Sequence, residues 1–388
     1  MLDIYFPYKH DTKSPTMTVY RRAEALASVH EDTRIYSTPS YLRFPNLAMR
    51  PVSMLRNGLR LAQWSAHQLL RKRTSWLMDA TFLNTHALPA MLLKTRKVIA
   101  DWGDVPVQYW QTENKKKADF LREFGLKQLL TNADLCVPRG HCLVPITEEI
   151  LDTTLNTTRP VYDPVESHYF NCQAVRARVK RGLKQRYGIN HVIGYVGGIR
   201  PHWHNKRVLG RAQELMDAYA LLPEGVREET LLAFIGSGAG YPALEDHKHS
   251  FPKEVQKNIL LTGNVTDTEL KEYLPAFDVG YMEAYNTLGY HAMVGYKCEM
   301  YFALGIPVIT PAIGERKLWR RFIKPIEPIE PDYSNYDQEY FHRLSDALLT
   351  CLTMKEHGIT NQKAREFALK TFSESVIRNR FKEVLDAL

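Results

Sequence analysis

The sequence is poor in cysteine, and the cysteines it has form no recognisable motif. They are Cys136, Cys142, Cys172, Cys298 and Cys351. No two of them make a C-x-x-C pair, and none lies at zinc-ligand spacing from a histidine, which argues against a structural zinc site or a dithiol redox site. Because sparse, odd-numbered cysteines are typical of reducing compartments, we expect buried free thiols and a cytoplasmic protein.

Long apolar runs are missing as well. No run reaches the roughly 20 residues that a membrane-spanning helix requires. The opening segment MLDIYFPYKHDTK has no basic region followed by a long apolar stretch, so we expect no signal peptide there. With 44% hydrophobic and 24% charged residues, the composition is that of soluble globular domains, which excludes a multi-span membrane protein.

The signature motifs of several enzyme classes are absent. No segment matches the G-x-x-x-x-G-K-[ST] loop of P-loop kinases and ATPases. No G-x-S-x-G stands where a nucleophilic serine of a Ser-His-Asp hydrolase would be expected. No D-x-D pair follows a predicted strand, so the sequence offers no obvious carboxylate site for a metal.

Acidic residues are missing from one long segment, Thr33–Met78. This segment contains eight basic residues, which equals the whole formal excess of +8 left by 51 basic and 43 acidic residues. They are Arg34, Arg43, Arg50, Arg56, Arg60, Arg71, Lys72 and Arg73. Helical spacing within the segment would place Leu55, Leu59, Ala62, Ala66 and Leu69 on one face, flanked by Arg56, Arg60, His67 and Arg71.

This basic segment has three interpretations. Residues 50–73 would suit a basic amphipathic helix that docks on an anionic membrane surface. The same pattern fits a helix that packs on its own domain and leaves a solvated basic face. A nucleic-acid acceptor is a third interpretation, because phosphates also attract such a stripe.

Short apolar runs in the first half alternate with helix-like stretches. The runs are Leu2–Phe6, Trp76–Met78, Val98–Ala100 and Leu135–Val137, and Tyr20–Val29 has helical spacing. This alternation predicts βαβ units and a parallel sheet. The length of 388 residues indicates two domains, and we place their boundary near residues 170–188, after a proline-containing segment.

The second half repeats the pattern more clearly, with glycines at strand ends. The predicted strands are His191–Ile199, Leu231–Gly240, Ile259–Val265, Asp278–Met282 and Gly305–Thr310. The sequence therefore predicts an α/β fold with a doubly wound parallel sheet. In that architecture ligands bind at the carboxyl ends of the strands.

Two glycine loops are candidates for phosphate binding. The segment GYVGGIRPHWHNK supplies Gly198, Arg200 and Lys206, and GSGAG supplies Gly236 and Gly238. Glycine lets a backbone approach a ligand closely, and cations neutralise phosphate charge. The alternative is purely structural, because glycine turns end strands in many α/β proteins.

A third element, GYKCEMYFALGIPVIT, begins with a loop at Gly295 and continues into a short helix that contains Lys297 and Glu299. A helix N-terminus offers free N–H groups and a positive dipole end, which suits a pyrophosphate. The carboxylate of Glu299 is suited to accept hydrogen bonds from a ribose diol, or else it is an ordinary solvated helix residue.

The order of these elements resembles the nucleotide-sugar half of retaining glycosyltransferase family 4. The likeness covers roughly residues 190–315 and ends in K-x-E-x-x-x-A-x-G-I-P-V-I. It implies a GT-B fold, in which two Rossmann-like doubly wound domains face a cleft and a C-terminal helix crosses back to the first domain. The resemblance implies an acceptor-binding domain at residues 1–172 and a donor-binding domain at residues 188–365. Residues 366–388 would form the returning helix.

The resemblance also implies roles for individual residues. Arg200, Lys206, Gly295, Tyr296 and Lys297 would hold the donor diphosphate. Glu299 would bind the ribose, Asn264 and Val265 would line the base site, and Gly236 and Gly238 would shape the cleft floor. Gly198 is also a donor-binding candidate. His291 stands where the family has a glutamate that contacts the donor sugar, so the sequence leaves the identity of that sugar open.

In the first domain, we expect His86 to assist at the sugar and Asp104 to contact the acceptor, while a satisfied loop histidine and a capping aspartate are the alternatives. The resemblance implies a cytoplasmic enzyme that moves a sugar from a UDP or GDP donor to a glycan or lipid-linked acceptor, without cofactor or metal. A GT-B epimerase or phosphorylase and a non-catalytic polyanion-binding protein are the other hypotheses.

Overall fold

The structure is a computed structural model, and it describes residues 2–6, 17–37, 66, 73–78, 91–103, 126–155, 157–204, 207–356 and 361–388. The chain divides into two compact units. Unit 1 comprises Met1–Pro164, His291–Val294 and Glu374–Leu388, and unit 2 comprises Val165–Tyr290 and Gly295–Ser373.

The described strands of unit 1 form one parallel sheet in the order β2-β1-β3-β4-β5. The strands are β1 (Leu2–Phe6), β2 (Thr33–Ser37), β3 (Thr74–Leu77), β4 (Val98–Trp102) and β5 (Leu135–Pro138). The strands β3 and β4 are buried almost throughout, as expected of a parallel sheet covered on both faces. The order is the flavodoxin-like one among doubly wound folds.

The described helices of unit 1 are Met17–Ala27, Gln128–Asn132, Leu143–Leu151 and Glu374–Asp386. The last of these comes from the far end of the chain, yet its apolar face lies in the core of unit 1. Ile377, Phe381 and Val384 pack with Ile4 and Trp76 of the sheet. The prediction that the C-terminal helix returns to the first domain is therefore confirmed.

Buried charges in unit 1 are compensated by ion pairs. Arg22 donates from Nε to Asp101 at 2.8 Å, and Trp76 donates to the same carboxylate at 3.2 Å. Arg73, one of the eight basic residues of the acid-free segment, is buried and pairs with Asp3 at 2.8 Å and with Asp32 at 2.9 Å. Arg73 thus contributes to the packing of the sheet and not to a surface.

Most of the basic segment predicted to dock on a membrane, residues 50–73, lies outside the described residues. The part of the chain that is described contains no helix long and apolar enough to cross a membrane. Within that same part, no group of three or more His, Cys, Asp or Glu side chains is arranged to hold a metal ion. The five cysteines are free, and all except the half-buried Cys142 are buried.

Unit 2 contains a second parallel sheet, in the order β10-β9-β6-β11-β12-β13. Its strands are β6 (His191–Val196), β9 (Thr230–Ile235), β10 (Ile259–Leu261), β11 (Val279–Tyr281), β12 (Val308–Pro311) and β13 (Ile323–Ile326). Numbered within the unit, this is the order 3-2-1-4-5-6 of a Rossmann sheet. A separate antiparallel hairpin is formed by β7 (Pro201–His204) and β8 (Arg207–Gly210).

Helices connect the strands of unit 2, as the alternating pattern predicts. They are Ser167–Phe170, Gln173–Tyr187, Glu214–Ala220, Glu224–Glu228, Tyr241–Ser250, Lys253–Gln256, Asp267–Tyr273, Leu288–Ala292, Tyr296–Ala303, Gln338–Glu356 and Gln362–Thr371. Short 3₁₀ turns lie at Leu274–Ala276, Gly314–Lys317 and Arg320–Phe322. The helix Leu288–Ala292 ends in the short segment assigned to unit 1.

The units divide earlier than the expected boundary at residues 170–188. Unit 2 begins at Val165, because the basic helix Gln173–Tyr187 is tied to its sheet. Arg176 donates to the carbonyl of Phe277 at 2.9 Å, and both Arg176 and Lys180 pair with Asp278 at the start of β11. The sequence also did not predict that His291–Val294 would belong to unit 1, where Ala292 joins a core cluster.

Candidate functional site

The strand order of unit 2 reverses between β6 and β11. Both neighbours of this switch point end on the same edge of the sheet, because the strands are parallel. A crevice forms at such a point, since the connections from the two strands leave in opposite directions, and ligands of open α/β sheets bind there. Tyr195 lies near the end of β6, and Glu283 lies two residues beyond β11. The candidate site is built around these two residues.

Lys297 reaches this edge from the first turn of the helix Tyr296–Ala303. Its Nζ lies 3.0 Å from the Tyr195 hydroxyl, 4.1 Å from the centroid of the same ring and 3.5 Å from Glu283 Oε2. Burial lowers the pKa of Lys297 to about 8, with Glu283 opposing the shift and Arg211 adding to it. The side chain as a whole keeps 17% of its surface exposed.

Glu283 is shared between two cations. Its other carboxylate oxygen pairs with Arg211 Nε, and the Glu283 side chain is only 1% exposed. Arg211 also donates to the Tyr290 hydroxyl at 2.5 Å. Burial alone would lower the pKa of Arg211, but Glu283 and the nearby tyrosines hold it well above its usual value. The cluster therefore carries two positive charges against one carboxylate.

The two glycine loops pack directly on each other. A Cβ on Gly236, whose φ is +139°, would lie 2.1 Å from the carbonyl oxygen of Gly197, and one on Gly238 would lie 2.3 Å from that of Ile199. Hydrogen bonds join the loops, for example Ile199 N to Ser237 O at 3.0 Å. Close backbone packing thus explains the need for glycine at 236 and 238. This agrees with the structural alternative to phosphate binding.

Gly198 differs from its neighbours. It is exposed, and a Cβ built on it would meet no atom within 4 Å. Packing therefore does not require glycine at this position. Arg200, two residues further on, is exposed as well.

The helix that carries Lys297 begins at a left-handed glycine. Gly295 has φ +84° and ψ +54°, and a side chain there would come within 3.3 Å of Met282 and of the buried Arg316 guanidinium. Tyr296 follows at the first helical position and is half-buried. This turn directs the helix so that Lys297 lies over Tyr195, at the sheet edge where the predicted phosphate site should be.

Glu299 belongs to the same helix but faces the core. Its side chain is fully buried, next to Cys298 and Met300, which are also buried. A ribose diol would have to approach a carboxylate with no exposed surface in this structure. The ribose role of Glu299 stays a prediction.

Asn264 and Val265 lie in the loop between β10 and the helix Asp267–Tyr273. Asn264 is exposed and Val265 half-buried, so both are accessible for contacts to a base. The loop ends in a capping box, in which Thr266 accepts from Glu269 N at 3.3 Å and Glu269 accepts from Thr266 N at 2.6 Å. That box fixes where the loop joins the helix.

The remaining predicted residues are not brought to this cluster by described contacts. His86, Asp104 and Lys206 lie outside the described residues. His291 is half-buried and falls in the segment assigned to unit 1. The roles predicted for these four residues stay predictions.

Three members of the cluster were not singled out from the sequence, namely Tyr195, Arg211 and Glu283. Glu283 had a usable signal, because it directly follows the predicted strand DVGYM at the expected ligand edge. Tyr195 is inside a predicted strand, and only the strand order shows that it borders the switch point. Arg211 follows β8, which belongs to a hairpin that the apolar pattern did not reveal.

Comparison with solved structures aligns nearly the whole chain with several proteins of known structure. Sucrose-phosphate synthase from Thermosynechococcus elongatus superposes with a TM-score of 0.70 at 14% identity, over 100% of this chain and 98% of the other. HepE from Anabaena in complex with UDP and glucose gives 0.64 at 13% identity, over 100% of both chains. The chain has the GT-B fold. WaaG, a glycosyltransferase involved in lipopolysaccharide biosynthesis, gives 0.64 at 15% identity, over 99% of both chains.

These similarities establish the GT-B fold predicted from the sequence, and at such low identity they establish only the fold. No protein-family model and no curated protein sequence matches the chain.

Proposed function

We propose that this GT-B protein is a glycosyltransferase that takes its sugar from a nucleotide-diphosphate donor. One observation carries the proposal, which is the position of Lys297. It lies at the switch point of the Rossmann sheet, partly exposed, on the first turn of a helix and above the Arg211–Glu283 pair. The known GT-B structures that match this chain include complexes with UDP-glucose and with UDP and GlcNAc.

The donor diphosphate is expected to bind between Lys297 and the open backbone of Gly198. The N–H groups of the first helical turn, at Tyr296 and Lys297, add hydrogen-bond donors and the positive end of the helix dipole. Arg211 contributes positive charge without direct contact to the donor, since its guanidinium is buried against Glu283. Such preorganised cations and N–H groups stabilise the charge that develops on a leaving diphosphate.

Two further regions complete the donor site in this proposal. Asn264 and Val265 would line the base of a UDP or GDP donor, mainly through their backbone. Glu299 would meet the ribose and His291 the sugar, with Arg200 and Lys206 adding charge near the phosphates. The exposed positions of Arg200 and Asn264 support contacts of this kind.

The transfer itself is proposed to proceed with retention and without a metal. The bond between the sugar C1 and the diphosphate oxygen breaks, and a bond from the acceptor oxygen to C1 forms on the same face. The acceptor proton passes to the departing diphosphate, so atoms and charge balance without a protein nucleophile. His86 would assist at the sugar and Asp104 would contact the acceptor.

The acceptor is proposed to be a glycan or a lipid-linked molecule. The acid-free segment around residues 50–73 supports action at an anionic membrane surface, so we propose a cytoplasmic protein with peripheral membrane contact. The buried pairing of Arg73 with Asp3 removes that residue from the surface and leaves five basic residues of this stretch for the role.

The proposal is tested by a thermal-shift screen of UDP-, GDP- and ADP-sugars, followed by hydrolysis of the best binder. A donor should raise Tm, and its slow hydrolysis in the absence of acceptor should show by NMR whether the anomer is retained. Activity that survives a chelator supports the metal-free mechanism. If no nucleotide sugar raises Tm, the proposal fails.

A further inference from the structure

A second cationic cavity lies in unit 2, apart from the Lys297 cluster. It is a surface groove of about 570 Å³ beside the edge strand β13, between the 3₁₀ turn Arg320–Phe322 and the helix Gln362–Thr371. Its lining consists of three cations, one carboxylate and two aromatic rings. These are Arg321, Lys363, Lys370, Glu366, Phe322 and Phe367.

Stacked side chains form one wall of the groove. The rings of Phe322 and Phe367 lie 4.7 Å apart at an interplanar angle of 26°, and the Arg321 guanidinium carbon lies 4.6 Å from the centroid of Phe322. A guanidinium held on a ring keeps its planar fork free for an oxyanion, and the stack reduces the freedom that binding would otherwise cost. Arg321 is therefore positioned in advance of any ligand.

The charge of the groove is unbalanced. Three cations face one carboxylate, Glu366, which accepts a hydrogen bond from Gln362 Nε2 at 3.3 Å. Across the described residues, no carboxylate lies within 4 Å of Arg321, Lys363 or Lys370. Three grouped cations that face a single carboxylate create a local positive potential that attracts an anion.

Asn361 fixes the two walls relative to each other. Its side-chain amide donates to the Phe322 carbonyl at 2.6 Å, and its side-chain oxygen accepts from Ala364 N at 3.3 Å, which caps the helix Gln362–Thr371. Its own N–H donates to Gly305 O at 3.3 Å. The groove is therefore a built feature of the fold, since one residue anchors both of its sides.

We propose that this groove binds a small phosphate-bearing ligand that also has an apolar or ring portion. Arg321, Lys363 and Lys370 would hold the phosphate, and the edge of the Phe322–Phe367 stack would contact the ring portion. The volume falls within the range of about 300–1,000 Å³ that small-molecule sites usually occupy. The ring of Phe322 also packs on Phe302, with the two ring centroids 6.0 Å apart, and Phe302 belongs to the helix that carries Lys297. The site is separate from the proposed donor site and does not depend on it.

Calorimetric titration with phenyl phosphate and with inorganic phosphate tests this inference on the full chain. Phenyl phosphate should bind more tightly than inorganic phosphate, because only it reaches the aromatic wall. The double variant Arg321→Gln/Lys370→Gln should weaken phenyl phosphate binding at least about tenfold, since hydrogen bonds to charged groups are the strong ones. The variant Lys297→Gln, which alters only the proposed donor site, should leave this binding unchanged.

The matched control is Lys317→Gln/Arg320→Gln, which removes the same charge from exposed residues of the same segment that do not line the groove. Equal loss in both double variants, or no binding of phenyl phosphate, would overturn the inference. Vesicles of phosphatidylcholine with and without phosphatidic acid identify the source of the phosphate. Retention on phosphatidic acid that Arg321→Gln/Lys370→Gln abolishes assigns it to a lipid headgroup, and binding of phenyl phosphate alone assigns it to a free ligand.

Discussion

Lys297 lies across the face of Tyr195, with its Nζ 4.1 Å from the ring centroid and 3.0 Å from the hydroxyl oxygen. The contact joins the first turn of a helix to the end of β6, at the point where the strand order of the Rossmann sheet reverses. It requires Gly197, because a Cβ there would lie 2.7 Å from Lys297 Cε. The proposed function depends on this arrangement.

Donor binding should be coupled to proton uptake above pH 8. Burial lowers the pKa of Lys297 to about 8, so at pH 9 the free protein holds this side chain mostly neutral. An adjacent diphosphate favours the charged form, hence the complex takes up a proton. Titration calorimetry in buffers of different ionisation enthalpy should show uptake of up to one proton at pH 9 and close to none at pH 6.5, where Lys297 is already charged.

The nucleotide sugar is the right ligand for this measurement, because its diphosphodiester does not titrate in that range. The control is Lys297→Gln, which should bind more weakly and without uptake at either pH. Uptake at pH 9 that persists in Lys297→Gln would assign the proton to another group.

Gly236→Ala should destabilise the protein even though the change adds one methyl group. The new Cβ would lie 2.1 Å from the Gly197 carbonyl oxygen at a φ of +139°, which other residues rarely adopt. We expect a loss of about 2–3 kcal/mol in the free energy of unfolding, measured by urea denaturation. Gly225→Ala, in a helix with open space around it, should cost nothing. Equal effects of the two changes would contradict the packing explanation.

Glu214 should make stability depend on pH. Burial raises its pKa to about 7, while Tyr281 donates to it at 2.7 Å and opposes the shift. Because the folded-state pKa is raised, the stability that protonated Glu214 contributes is fully present below about pH 4.5 and is lost as the pH rises through 7. Between these two pH values, the free energy of unfolding of the wild type should fall by about 2–3 kcal/mol more than that of Glu214→Gln. The exposed Glu224→Gln should follow the wild type, and a Glu214→Gln profile equal to that of the wild type would refute the assignment.

The C-terminal helix should be needed for the stability of unit 1. Phe381 is fully buried, contacts Trp76 edge-to-face at 5.5 Å and lies under the Arg22 guanidinium at 4.9 Å. Phe381→Ala should lower the free energy of unfolding by about 3–5 kcal/mol, measured by tryptophan fluorescence during urea denaturation. The neighbouring Lys382→Ala changes an exposed residue and should be close to neutral. A near-neutral Phe381→Ala would mean that the helix does not belong to this core.

Much of the fold could be predicted because buried parallel strands are short apolar runs. β1 occupies Leu2–Phe6 as predicted, and β3, β4 and β5 overlap their predicted runs. The strand β2 was missed, since its sequence TRIYS alternates polar and apolar residues at the sheet edge. β13, with the sequence IKPI, was missed for the same reason, because an edge strand needs little apolar surface.

The candidate site was predictable only in part. Lys297 and the glycine loops were found because glycine breaks and a helix start leave local signals. The partners of Lys297 were not found, because Tyr195 and Glu283 are 88 residues apart in the sequence and meet only through the strand order. Glu299 is predicted from the sequence to bind the ribose, and only the structure shows that its side chain lies in the core.

The central claim is that a nucleotide sugar binds beside Lys297 and Gly198, and two variants test it most directly. Calorimetry of the best donor should give at least about tenfold weaker binding for Lys297→Gln, which loses a charged hydrogen bond. Gly198→Leu, whose side chain would fill open space, should block binding to a similar degree. Gly225→Leu, also in open space but away from the sheet edge, should bind as the wild type does. Wild-type affinity in both Lys297→Gln and Gly198→Leu would contradict the account.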